Sequence, residues 1–433
     1  MNQKTLPTSR RKLRWISTTS SGPGIARRGS ALGMEDIASL RPREKRKLGQ
    51  ADGNRHPGSV AGNHHACGSI ASNPVDIPTA TALHLQMKIA LASAVNCFFA
   101  LLFFNAAASE TSADNNPNME KKNIGLAIHG GAGTIERSSM TPEKEREYRA
   151  GLERALTAGY EVLKRGGSSL DATESAVRVL EDDPHFNAGR GSVFTSAGTN
   201  EMDASIMDGK TLKAGAVGSV QHIKNPINLA RLVMEKSPHV MLDCAGAEAF
   251  AKANGIELVD QKYFYTQERW DALQKMKAAE KNSASGAGKS FLITNKGRHG
   301  TVGAVALDKD GNLAAATSTG GTTNKMPGRI GDTPVIGAGT YANNQTCAVS
   351  CTGDGEYFIR TATAHEVSAL MQHRGMKLQE AAQIALDNVK QLGGSGGLIA
   401  IDKNGEIAMP FNTNGMYRGY VDPKGKLVVQ IYR

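Results

Sequence analysis

The residues best placed by type and spacing to do chemistry in this 433-residue chain meet at the junction His299-Gly300-Thr301. Inside a chain a threonine hydroxyl is a poor nucleophile, because no base activates it. At a new N-terminus it carries its own base, the α-amine, whose ordinary pKa of about 8 suits neutral pH. Gly300 fits a cut at the Gly–Thr bond, since glycine tolerates the strained backbone such a step requires. Gly-Thr before a strand is a common pair, so the assignment needs companions. Downstream, Thr317 and Thr319 share one face of a strand pairing with the one that starts at Thr301, which brings Thr319 close to Thr301. Arg329 can hold a carboxylate bidentately and Asp332 can pair with an ammonium, so together they can grip both charges of an amino-acid head group. The plain alternative is a surface salt bridge between near neighbours. Ser350 to Gly355 reads as an exposed Gly-rich turn after a strand. Such a turn can aim a backbone N–H and the Thr352 hydroxyl at an oxyanion, or be an ordinary turn.

Several elements must hold these residues. Residues 123–129 read as a short buried strand entering the Gly-rich turn His129 to Gly133. A helix follows from Pro142, with Thr141 as N-cap, Tyr148, Leu152, Leu156 and Leu163 on one face, and Gly166-Gly167 ending it. A second helix over 169–181 opens with Ser168 and Asp171 at capping-box spacing and stops before Pro184. A third covers 225–237. Residues 275–300 are polar, small and Gly-rich and read as a linker. The segments flanking Asp310-Gly311 form a hairpin. Helices near 360–373 and 377–391 precede a last hairpin turning at Asp402–Gly405. Alternating strand and helix pairs suggest a layered α+β sandwich.

Composition narrows the function classes. The net charge of +10 belongs to a tail. Residues 1–86 carry 13 Lys and Arg against 5 Asp and Glu, while 109–433 are nearly balanced at 37 to 36. With aromatics at 5%, a nucleic-acid partner for the main body loses its support. Residues 1–86 read as a disordered basic leader, with Met87 as the expected true start. Residues 87–108 read as a signal peptide: Lys88, an apolar run from Ile89 to Phe104, and a small-residue cleavage site at Ala106 to Ala108. The run is short for stable membrane insertion. Secretion or a periplasmic location follows as an expectation. Cys347 and Cys351, on one strand, would lie about 13 Å apart, too far to bridge, and buried free thiols are expected.

Eight ordered motifs carry a resemblance. They are HGGAGT at 129–134, NAGRGSVFT at 187–195, MDASIMDG at 202–209, LKAGAVGSV at 212–220, GTVGAVALD at 300–308, ATSTGGTTNKMPGRIGDTP at 316–334, SCTGDGE at 350–356 and GGSGGLIAID at 393–402. Together they resemble the isoaspartyl peptidase/plant-type L-asparaginase family and cover nearly all of 123–433. The resemblance implies a four-layer αββα sandwich of the N-terminal nucleophile hydrolase type. The implied chain is autocleaved into an α subunit, 109–300, and a β subunit, 301–433, and paired as a homodimer of cleaved αβ units. Thr301 matches the nucleophile, Thr319 its supporting threonine, and Asn187 a residue beside the nucleophile. Thr352 and Gly353 match the oxyanion hole. Arg329, Ile330, Gly331 and Asp332, with Thr352, Gly353, Asp354 and Gly355, match the substrate-binding loops. No cofactor is implied beyond a structural sodium ion at the carbonyls of Leu180, Glu181, Asp183 and Phe186.

Three other readings compete. An aspartylglucosaminidase-like amidase is expected to carry Asp before its nucleophile, where this chain has Gly300. A nucleotide-binding protein would need phosphate-cradling spacing that His129 to Gly133 lacks. A periplasmic amino-acid binder would keep the Arg329–Asp332 clamp without cleavage.

Overall fold

The computed structural model describes residues 123–283, 300–422 and 424–433. The leader, the signal-like segment and residues 284–299 of the linker lie outside the described residues. Strands β1 (Gly125–Gly133), β2 (Met202–Asp208), β3 (Ala214–Val220), β4 (Met241–Asp243), β5 (Val302–Leu307) and β6 (Leu313–Thr319) belong to one sheet together with β11 (Gly415–Val421) and β12 (Leu427–Tyr432). Its order is β12-β11-β1-β5-β6-β2-β3-β4, antiparallel except for β3 with β4. A second sheet holds β7 (Thr340–Ala342), β8 (Cys347–Gly353), β9 (Gly396–Asp402) and β10 (Ile407–Ala408) in the order β10-β9-β8-β7. Helices α1 (Pro142–Lys164), α2 (Ser169–Asp182) and α3 (Pro226–Lys236) cover the outer face of the large sheet. Past α4 (Cys244–Ala253), α5 (Gln267–Ser283) and α6 (Gly355–Thr361), α7 (Thr363–Arg374) and α8 (Leu378–Gln391) cover the small sheet. The layers run αββα, as the resemblance implied.

Central strands in such a sandwich are buried on both faces, which suits the small and β-branched sequences VGAVAL and LAAATST. Alternation then sorts their side chains. Val302, Ala304, Ala306 and Ala316 join the core under the helices. Val305, Leu307, Leu313 and Ala315 join the core between the sheets with Ala127, Ala348 and Ile399. Thr301, Thr317 and Thr319 have the parity of this second set, so they point between the sheets. The pairing Val302↔Ser318 and Gly303↔Thr317 continues to Thr301 opposite Thr319.

Local signals explain the helix boundaries. Thr141 accepts from Lys144 N at 3.3 Å and Ser168 from Asp171 N at 3.1 Å. Gly166, at φ +80°, closes α1. Three expectations need correction. His129 to Gly133 is no free turn: it stays in β1, bulged between His129 and Gly131, because Ala132 and Gly133 still pair with Met416 and Gly415 of β11. Part of the expected linker is helical, since Lys275 to Glu280 are strong helix formers that extend α5. The hairpin at Asp402–Gly405 is real, but the β11–β12 hairpin follows it, turning where Asp422 N donates to Lys426 O at 2.9 Å.

The opposite parity has its own consequence. Ser318 faces the helices and donates to Glu181 Oε1 of α2 at 2.6 Å, and Ile227 N donates to the same oxygen at 3.0 Å. Glu181 Oε2 is buried with no hydrogen-bond partner. Burial lifts the carboxyl from 4.5 to about 8. Between those values the unfolded chain has released this proton and the folded chain keeps it, so stability falls as pH rises across that window. Glu181→Gln keeps the Oε1 acceptor and removes the titration. The variant's unfolding temperature relative to wild type should therefore climb from about pH 5 to about pH 8. An unchanged gap across that range would mean Glu181 is ionised in the fold.

Candidate active site

A cavity of about 210 Å³ opens where β5 begins and β6 ends. Its wall includes Gly300, Thr301, Thr319, Arg329, Gly331, Asp332, Gly353 and Asp354, brought together from three separate stretches of chain. Thr301 and Thr319 are 6% and 2% exposed. The Thr301 hydroxyl donates to Thr319 Oγ1 at 3.2 Å, and Gly321 N donates to that same oxygen at 3.0 Å. Thr319 is thereby oriented by the backbone that follows it.

Asn187 acts on this turn. Its Nδ2 donates to Gly321 O at 2.7 Å, its Oδ1 accepts from Val193 N at 3.0 Å, and its carbonyl accepts from Gly320 N at 3.1 Å. Thus the loop after α2 grips the Gly320-Gly321 turn. A Cβ on Gly320 would stand 2.6 Å from Asn187 Oδ1, so the turn must be glycine there.

Around the scissile position packing is tight. A Cβ on Gly300 would lie 2.6 Å from each of Ala132 N, Gly131 Cα and Thr352 Oγ1. Gly131, at φ +115°, in turn lies against the Gly300 backbone. Close approach, beyond any conformational freedom, requires glycine at 300. Ser350 to Gly355 differs from the expected exposed turn. Ser350 and Thr352 are fully buried in β8, because their parity turns them between the sheets, and Gly355 already starts α6. Thr352 Oγ1 accepts from Ala132 N at 3.2 Å and sits just behind the cavity wall.

The clamp residues take unequal positions. Arg329 does not bridge to Asp332; its Nε and Nη2 both lie 3.0 Å from Glu356 Oε1. A guanidinium so held on one side presents its Nη1/Nη2 edge, the bidentate edge for a carboxylate. Asp332 is buried with Oδ2 lacking a hydrogen-bond partner. Burial pushes its carboxyl up to about 7 despite the Arg329 charge nearby. A Cβ on Gly355 would stand 2.9 Å from Asp332 Oδ1 and 3.0 Å from Arg329 Nη2, so glycine there leaves both clamp groups their room. Ile330 turns away and lies against Gly218 of β3.

Residues to which the sequence assigned no role complete the wall: Ala132 to Thr134, Gly321 to Thr323, Ser395 and Asn412 to Asn414. Ala132 to Thr134, Gly321 to Thr323 and Ser395 lie within the motifs that carry the resemblance, whereas Asn412-Thr413-Asn414 stands outside them and offers only a polar run before β11. Glu356, the partner of Arg329, closes the stretch SCTGDGE at 350–356, and nothing in its spacing pairs it with Arg329.

The sequence model of a family described as Asparaginase matches residues 122–431. Over 297 residues the chain is 53% identical to the isoaspartyl peptidase of Escherichia coli (strain K12), which covers 68% of this chain and 92% of that one. It is 46% identical over 292 residues to the isoaspartyl peptidase/L-asparaginase of Bos taurus, covering 67% and 91%. With the protein of that name from Mus musculus it shares 48% over 292 residues, covering 67% and 86%.

Proposed function

This chain belongs to the asparaginase family, and from that premise we propose that it is an autoprocessed threonine hydrolase releasing L-aspartate from β-aspartyl dipeptides and L-asparagine. The observation that carries the reading is the Thr301–Thr319 pair set beside the Arg329–Asp332 clamp in one cavity. Self-cleavage at Gly300–Thr301 frees the Thr301 amine. That amine takes the hydroxyl proton as Thr301 Oγ1 attacks the substrate's side-chain carbonyl. Thr352 and Gly353 stabilise the oxyanion, the protonated amine returns its proton to the leaving group, and water hydrolyses the acyl-enzyme. Arg329 takes the α-carboxylate and Asp332 the α-ammonium. Denaturing electrophoresis, N-terminal sequencing and turnover of β-Asp-Leu test the whole. Two fragments, one starting at Thr301, with release of aspartate are expected. An amino-acid binder would give one chain and no product.

Asp332 adds a pH dependence. It holds an ammonium only when ionised, and burial sets its carboxyl at about 7 in the free protein. As pH falls below that value KM should rise, by at most about tenfold per pH unit. Asp332→Asn should raise KM at all pH and flatten this limb. A wild-type KM that stays constant from about pH 8 down to about pH 5 would remove Asp332 from the ammonium's side.

The loop after α2 also suits a sodium ion. Leu180 and Glu181 present carbonyls from the last turn of α2, and those of Asp183 and Phe186 follow. Glycine lets the loop close on them: a Cβ on Gly189 would stand 2.4 Å from Glu181 O, and one on Gly191 2.1 Å from Phe186 O. Hard carbonyl oxygens are the donors such an ion takes. When bound, the ion would neutralise the crowded carbonyl dipoles. Arg269, buried, already bonds Gly191 O and His185 O at 2.9 Å each, and so steadies the segment that carries Asn187. Export through residues 87–108 and pairing of cleaved units as a homodimer complete the proposal.

A further inference from the structure

Behind Thr301 lies a chain of polar groups that the proposed reaction leaves unused. His129, fully buried in β1, has Nδ1 2.9 Å from Thr301 O and Nε2 2.8 Å from Ser350 Oγ. Ser350 Oγ is 2.7 Å from Thr317 Oγ1, which is 2.5 Å from Thr340 Oγ1. All four side chains are fully buried.

The proton positions follow by elimination. A carbonyl oxygen only accepts, so Nδ1 carries the hydrogen. Burial lowers the imidazole pKa to about 3, so the ring is neutral and Nε2 is an acceptor. Ser350 must then donate to Nε2, which spends its one proton. Thr317 in turn donates to Ser350, its other acceptor, Gly339 O, lying farther off at 3.4 Å. Thr340 donates to Thr317. Every hydroxyl points its proton toward Thr301. Gly303 keeps the path open, since a Cβ there would stand 2.0 Å from Ser350 Oγ and 2.6 Å from His129 Nε2.

We propose that His129 is a positioning residue that anchors the nucleophile through the Thr301 carbonyl, in the Nδ1–H tautomer that this carbonyl requires and that the Ser350–Thr317–Thr340 chain supports from the other side of the ring. This rests on the reading of Thr301 as the nucleophile. Before cleavage the backbone holds Thr301 on both sides. Afterwards the bond to Gly300 is gone, and the new amine must stay within reach of its own hydroxyl. Two contacts then restrain the residue: the hydroxyl on Thr319 and the carbonyl on His129. Both ring nitrogens are engaged and His129 is absent from the cavity wall, so it acts through Thr301 and does not touch substrate.

The test uses the full chain. Nitrogen-15 NMR of histidine-labelled protein, with His129 assigned by its absence from His129→Asn, should show protonated Nδ1 and bare Nε2, constant from about pH 5 to about pH 9. Steady-state kinetics on a β-aspartyl dipeptide give the second readout. His129→Asn places a donor where Nδ1 stood and should retain more kcat than His129→Gln, whose amide reaches the Nε2 position. Ser350→Ala should lower kcat about tenfold to a hundredfold with little change in KM. The Thr301 amine must be neutral to take the hydroxyl proton, so kcat falls on the acid side of its pKa, and this acidic limb should persist in each variant. An Nε2–H or cationic ring, Gln outperforming Asn, a loss carried in KM, or disappearance of the limb would overturn the proposal. If a variant fails to fold by circular dichroism, the tautomer of the wild-type ring still decides, its signals assigned by the shift in Ser350→Ala. If wild type turns over no β-aspartyl substrate, the functional reading fails instead, and the tautomer still judges the His129 arrangement.

Discussion

Thr301→Ala is expected to run as a single uncut chain and to lose turnover by on the order of a thousandfold or more, because the residue supplies both nucleophile and base. The hydroxyl it removes is the one donated to Thr319 at 3.2 Å, beside Gly300 in the cavity wall. Alanine keeps the backbone and fits a site already occupied by Cβ, so the fold should survive, and the thermal midpoint should stay close to wild type. Thr301→Ser keeps a hydroxyl and should cut, more slowly, since the lost methyl no longer fixes the rotamer. Cleavage of Thr301→Ala at the same bond, judged by N-terminal sequencing, would refute intramolecular attack by this side chain.

Arg329→Ala should cut normally yet lose about tenfold to a hundredfold or more in kcat/KM, as a charged hydrogen bond is worth about 1.5–3 kcal/mol. The precursor presents no free carboxylate at this position, so self-cleavage has no use for the guanidinium. The substrate does, and the edge of Arg329 not held by Glu356 is the edge it would take. Arg329→Lys should recover little, because a single ammonium cannot reproduce a bidentate pair. The loss should fall mainly in KM. Accumulation of uncut Arg329→Ala precursor would instead give Arg329 a structural role, with Glu356 as the partner it holds in place.

The two experiments separate the chemistry from the clamp, and the structure accounts for why they can be separated. Thr301 and Thr319 come from adjacent strands of the large sheet, whereas Arg329 and Asp332 come from the loop beyond β6 and are braced by the start of α6. One site is set by strand register, the other by a glycine-lined loop.

Much of this was legible in the residues alone. The alternation of side chains along a strand determined that Thr317 and Thr319 share a face, and the turn at Asp310-Gly311 determined that their strand returns beside the one that starts at Thr301. The caps at Thr141 and Ser168 determined where α1 and α2 begin, since each satisfies a backbone N–H that has no partner inside its helix. Which way that face points is a different matter. It turns toward the second sheet because helices already cover the other side, and only the packed layers decide this. The same packing buried Ser350 and Thr352, pulled the His129 to Gly133 segment into a strand, and raised Asp332 to about 7 by taking its carboxyl out of water. His129 shows the limit most clearly. It lies 172 positions from Thr301 and 221 from Ser350, and a hydrogen bond across such separations leaves no local pattern to read. Short-range propensity and periodicity are properties of neighbours in sequence; burial, proton position and long-range hydrogen bonds arise when the layers close.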